Sequence, residues 1–179
     1  MSVKARPLQT AEISGPRRAH LISGPGVAAS LIKKAERPLL VVGSNASNLG
    51  TREGDLIDTA IEMSRRMTVV ATGHMVGEFL RRGAKVHSMS MMSLGDVIRD
   101  PEWKGLDNEG GYDLVIFVGT IYYMGWLVLS GLKNFAQSLT TLSLEPGYQP
   151  NATWSLGTTT NVEWRNTLEE LLKQLEVDA

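Results

Sequence analysis

Residues 37–50 read RPLLVVGSNASNLG, from Arg37 to Gly50, and this stretch decides the fold. Leu39, Leu40, Val41 and Val42 form an unbroken apolar run, the pattern of a parallel strand covered on both faces. Pro38 stands where a strand can begin without losing a ladder hydrogen bond. Gly43 ends the run, and a residue without Cβ lets the backbone turn through positive φ or approach a ligand closely. Ser44, Asn45, Ser47 and Asn48 then crowd the loop with small hydrogen-bonding side chains.

The same unit recurs along the chain. Thr68 to Ala71 (TVVA) is a short buried strand, followed by the loop Thr72-Gly73-His74 and a helix ending near Gly83. Tyr112 to Gly119 (YDLVIFVG) is a strand, wholly apolar from Leu114 to Val118 and ending in Gly119-Thr120, with a helix expected over Tyr123 to Gln137. Lys85 to Met89 reads as a less apolar strand near an edge. Leu139 to Leu144 (LTTLSL) alternates like a strand, and Trp154 to Leu156 is a short sixth one. Helices are expected over residues 23–36, capped by Ser23, and after Thr51, with Leu56, Ile57, Ala60, Ile61, Ser64 and Met67 on one face. Further starts are expected at a Ser93 capping box and at the box Thr160-Asn161-Val162-Glu163. Alternating strands and helices predict an α/β protein: a three-layer αβα sandwich around a Rossmann-like parallel sheet of five to six strands. Residues 1–22 read as an N-terminal arm and residues 23–179 as a single domain.

In such sheets ligands collect beyond the carboxyl ends of the strands. The candidate binding residues are therefore Gly43, Ser44, Asn45, Gly73, His74, Gly119 and Thr120. Their loops open helices, whose amides suit a phosphate or pyrophosphate. No G-x-G-x-x-G, G-K-[ST] or G-x-S-x-G is present, so a first-strand NAD site, a P-loop and a hydrolase elbow have no support. His20, His74 and His87 are far apart, and Asp113 and Glu145 read as strand-end polar groups. No catalytic set emerges.

Composition bounds the rest. The chain has 179 residues, 42% of them hydrophobic and 21% charged, with a net charge of −1, which gives no reason to expect nucleic acid or an anionic membrane as partner. Positive charge nevertheless gathers at the start: residues 1–20 hold Lys4, Arg6, Arg17 and Arg18 against Glu12, or +3. That segment is either a solvated arm or a dock for an acidic surface. With no cysteine, disulfides, thiolate-bound zinc and cysteine-ligated iron–sulfur clusters are excluded from this chain. No apolar run is long enough to span a membrane and no secretory segment is recognisable, so a cytoplasmic protein is expected. The segment Ile121, Tyr122, Tyr123, Met124, Trp126 cannot all face one core, because consecutive helical residues point in different directions. Part of that surface, and Trp103 in a polar loop, is expected to meet another chain.

RPLLVVG, DPEWKGLD (Asp100 to Asp107), YDLVIFVGTIYY (Tyr112 to Tyr123) and LKNFA (Leu132 to Ala136) together resemble the epsilon subunits of archaeal acetyl-CoA decarbonylase/synthase complexes. The likeness covers most of the chain after about residue 20. The first strand is also similar to the middle domain of thiamin-diphosphate enzymes, a DHS-like NAD/FAD-binding fold whose corresponding loop faces the ADP part of FAD. The resemblance implies an accessory subunit of an anaerobe, bound to a large nickel–iron carbon monoxide dehydrogenase alpha subunit in an alpha–epsilon heterotetramer. It implies a role in stabilising that subunit and in helping electrons reach FAD, with the metals held by the partner. Homo-oligomers of the isolated chain are compatible with this reading. The alternative is a free-standing flavin- or nucleotide-binding electron-transfer protein.

Overall fold

The structure, a computed structural model, describes residues 15–49 and 55–176. Seven strands occur among them: β1 His20–Leu21, β2 Pro38–Val42, β3 Thr68–Ala71, β4 His87–Ser88, β5 Leu114–Val118, β6 Thr140–Ser143 and β7 Trp154–Ser155. The helices are α1 Pro25–Lys34, α2 Leu56–Met63, α3 Met75–Arg81, α4 Met91–Ile98, α5 Tyr122–Phe135 and α6 Asn161–Glu176. One sheet runs in the order β1-β7-β6-β5-β2-β3-β4, and every neighbouring pair is parallel. The α/β sandwich expected from the apolar runs is therefore the observed one. Its sheet has seven strands rather than five or six. The added strand is β1, which pairs His20 with Trp154 and Leu21 with Ser155 at the end of the segment read as an arm.

From β2 the chain moves outward to β3 and β4, then returns to place β5 on the other side of β2 and continues to β6 and β7. The direction of winding thus reverses between β2 and β5, which defines the topological switch point. Strand alternation divides the core. Leu40, Val42, Ile116 and Leu142 meet α1, α2, α3 and α6 on one face. Leu39, Val41, Val115 and Phe117 meet α4 and α5 on the other. The second face therefore has two covering helices where the first has four. It also carries six of the nine large exposed hydrophobics of the described residues: Met92, Ile121, Tyr122, Tyr123, Leu127 and Phe135.

Local starts differ from the sequence expectations in three places. Ser23 does not cap α1: the N-cap is Gly24, with Pro25 in the first turn and no side-chain bond. Thr51 lies outside the described residues, and α2 opens at Leu56 with Asp55 as cap and Asp58 closing the box. Helix α4 is capped by Ser90, whose Oγ accepts from the Ser93 amide at 3.1 Å, so the box read at Ser93 falls one turn late. The box at Thr160 is as expected: its amide donates to Glu163 at 3.0 Å, and the Glu163 amide donates to Thr160 Oγ1 at 3.3 Å.

Trp103 has a partner within the chain, lying against Tyr112 with ring centroids 5.8 Å apart. Arg37 organises the same loop. Its guanidinium donates to Asp107 at 2.7 Å, to Gly110 O at 3.2 Å and to Gly111 O at 3.2 Å, and it covers the Tyr112 ring at 5.3 Å. Asp113 is the strand-end group expected, accepting from the Glu36 and Arg37 amides at 2.8 Å each.

Candidate functional site

The three glycine loops lie together beyond the carboxyl ends of β2, β3 and β5, at the switch point. Gly43 approaches a backbone there. A Cβ on it would collide with Gly119 O and Thr120 Cα and stand 2.7 Å from the Gly119 carbonyl carbon. Its φ is not positive, so closeness to the neighbouring loop, not backbone conformation, demands glycine. Gly119 does need positive φ, at 66°, and its own Cβ would stand 2.8 Å from Ala46. The two loops are sewn together by Gly43 N donating to Val118 O at 2.9 Å and Asn45 N donating to Gly119 O at 2.8 Å.

The third loop completes the group. Gly73 has φ of 61°, and a Cβ on it would sit 3.7 Å from the Ser44 side chain. Thr72 joins the loop to β2 through its amide, which donates to Val42 O at 3.0 Å. His74 and Ser47 are exposed, and Ser44 and Asn45 are half-buried. Asn45 Oδ1 accepts from the Asn48 side chain at 3.1 Å. The structure thus brings Gly43, Ser44, Asn45, Gly73, His74, Gly119 and Thr120 to one rim.

A group that sequence reading took for a strand-end polar residue changes the chemistry of this rim. Glu145 is 4% exposed, and its Oε1 accepts from the Thr120 amide and from Thr120 Oγ1, each at 2.7 Å. Burial pushes its carboxyl up to about 7, while the bonds from Thr120 and the Gly119 amide pull the other way. The amides at the mouth of α5 therefore already face a carboxylate of the chain itself. The sequence signal was the continued alternation Thr141, Ser143, Glu145 beyond the end of β6. Leu142 and Leu144 take one face, and the polar residues take the α5 side. Ser143, Gln149, Asn151 and Ser155 are buried as well. Gln149 Nε2 donates to Tyr122 O at 3.1 Å, and Gln149 N donates to Ser155 Oγ at 2.9 Å.

No group of three or more histidine, aspartate or glutamate side chains able to hold a metal occurs among the described residues. No helix there is long and apolar enough to cross a membrane.

A fully parallel sheet, wound both ways from β2, with glycine loops gathered at the reversal, places the chain among the doubly wound, Rossmann-like α/β proteins. Residues 2–172 match the family described as CO dehydrogenase beta subunit/acetyl-CoA synthase epsilon subunit, and the chain belongs to that family. It is 34% identical to the acetyl-CoA decarbonylase/synthase complex subunit epsilon of Methanothermobacter thermautotrophicus, over 92% of this chain and 93% of that one. It is 36% identical to subunit epsilon 1 of Methanosarcina barkeri, over 84% of this chain and 86% of that one. To subunit epsilon of Methanothrix soehngenii it is 37% identical, over 84% of this chain and 80% of that one.

Proposed function

We propose that the chain is an accessory subunit of an acetyl-CoA decarbonylase/synthase complex, bound to a large nickel–iron carbon monoxide dehydrogenase subunit that it stabilises. The observation that carries this reading is the apolar outer surface of α5. Tyr123 is 66% exposed and Leu127, one turn further on, is 48% exposed. Met92 lies one turn before Gly95, whose missing side chain admits Val128 of α5, so both helices contribute to one apolar surface. Large exposed apolar patches on soluble domains mark interaction surfaces. Tyr122 and Trp126 serve the chain's own packing to a greater degree: Tyr122 Oη donates to Tyr148 O at 3.2 Å, and Trp126 Nε1 is buried. A pull-down with the tagged full chain from an anaerobic extract tests the proposal. Co-elution of a large nickel- and iron-containing protein is expected; a metal-free eluate without a large partner refutes it.

The switch-point rim supports a second reading, in which the same subunit offers a flavin or nucleotide site and helps electrons reach FAD. The observation in favour is the convergence of the Gly43, Gly73 and Gly119 loops, with Ser44, Ser47 and His74 side chains making no hydrogen bond among the described residues. Because Glu145 already engages the Thr120 amide, a phosphate would lie on the Ser44 and Gly73 side. Calorimetric titration with FAD and ADP decides it, with saturable heat expected and a flat titration at millimolar ligand against it.

A further inference from the structure

On the face covered by α4 and α5, the helix layer stops at α5, and the strand positions beyond it are polar. A groove of about 480 Å³ opens there, at the amino ends of β6 and β7 and far from the glycine loops. Arg17, Arg18, His20 and Lys133 line it, and among the described residues none of its lining is acidic. In a chain of net charge −1 this is a strong local concentration of positive charge.

The groove is built rather than incidental. Lys133 Nζ donates to Arg17 O at 2.5 Å and to Asn151 Oδ1 at 3.2 Å. Ala19 N donates to Pro150 O at 3.1 Å, Tyr148 Oη to Ala19 O at 2.8 Å, and His20 N to Thr153 O at 2.9 Å. These bonds fix the backbone of residues 17–20 against the body. The Arg17 and Arg18 side chains make no hydrogen bond or ion pair among the described residues and are exposed. Lys133, in the last turn of α5, is favourable to that helix's negative end, which accounts for one cation. It does not account for two arginines held beside it. Burial, and secondarily the charge of Arg17, hold the Lys133 ammonium below the ordinary lysine range. Leu132, Ala136, Leu139 and Ala152 supply an apolar floor. The size suits a small organic molecule, and paired guanidinium forks suit phosphate oxygens.

We propose that this groove binds a small phosphorylated molecule, at a site separate from the switch-point rim and independent of the assembly reading. The test uses the ¹⁵N-labelled full chain, titrated with pyrophosphate and with ATP at constant ionic strength and mapped by amide shifts. Saturable shifts at Arg18, Ser138, Thr140 and Thr153 are expected with both probes. The double variant Arg17→Ala/Arg18→Ala should weaken both at least about tenfold, since each lost charge-assisted bond removes a large share of the affinity. Its melting temperature should stay unchanged, because neither side chain bonds the body. Arg17→Lys/Arg18→Lys should restore most of the binding. No saturable shift at about 10 mM probe, a Kd region too weak for a built site, overturns the proposal. Shifts confined to Gly43–Asn45 and Gly119–Thr120 also overturn it. So does an octaglutamate peptide binding the groove tenfold tighter than either probe, which would make it a dock for an acidic protein segment.

Discussion

Replacing Gly43 with alanine is the smallest change that probes the switch point. The atoms nearest a methyl there are backbone, of Gly119 and Thr120, and backbone cannot rotate aside as a side chain would. Pushing the β5 loop away costs about 2–3 kcal/mol as overpacking. It also weakens the Asn45 N to Gly119 O bond of 2.8 Å, worth about 1 kcal/mol more. A total of about 3–4 kcal/mol, at about 2–4 °C per kcal/mol for a domain of this size, lowers Tm by about 6–16 °C. Thermal unfolding followed by circular dichroism reads it, with Gly77→Ala as control. Gly77 lies within α3, and nothing stands within 4 Å of its added methyl. The control should therefore gain about 0.5–1 kcal/mol from helix propensity. If Gly43→Ala melts within about 2 °C of the native chain, a shift below 1 kcal/mol, the close packing of the two loops is wrong.

Glu145 has a folded pKa above its unfolded value of 4.5, so the folded state binds the extra proton and stability falls as pH rises from about 4.5 to about 7. The difference is worth about 3 kcal/mol, and Glu145→Gln should flatten that slope in urea melts across the interval; an unchanged slope assigns it to another group. Arg37→Met removes the donors that hold the loop of residues 103–111 and should cost about 1–3 kcal/mol, with faster amide exchange at Gly105 and Gly110. Normal exchange protection there would mean the loop is held by Trp103 and Tyr112 alone. Tyr123→Ala should weaken assembly with the large subunit more than Tyr122→Ala, because Tyr123 is the more exposed ring. The opposite order in a pull-down would relocate the docking surface.

The strands with apolar runs were legible because burial on both faces writes itself as consecutive Leu, Val and Ile; β2, β3 and β5 need no other signal. Strand β1 was not, because His20 and Leu21 are exposed edge residues with no run around them. Gly43 was legible as a strand-end glycine, read as a turn or a close approach to a ligand. Its physical reason, the approach of the β5 loop, depends on β2 and β5 being neighbours in space and is invisible along the chain. Glu145 follows the alternation of β6, but the Thr120 group that meets its buried carboxyl lies 25 residues away in the sequence. The consecutive apolar residues of α5 correctly implied an outward apolar surface. They did not say which ones turn out, and the register selects Tyr123 and Leu127 over Tyr122 and Trp126.

Sedimentation velocity of the full chain mixed with the purified metal-containing large subunit, native against Leu127→Glu, tests the proposed role most directly. The native chain should sediment with the large subunit, and a buried carboxylate at position 127 should release it while leaving its own Tm unchanged, since Leu127 lies outward on α5. A native chain that sediments alone, or a variant that still co-sediments with undiminished affinity, would contradict an accessory subunit docked through this helix.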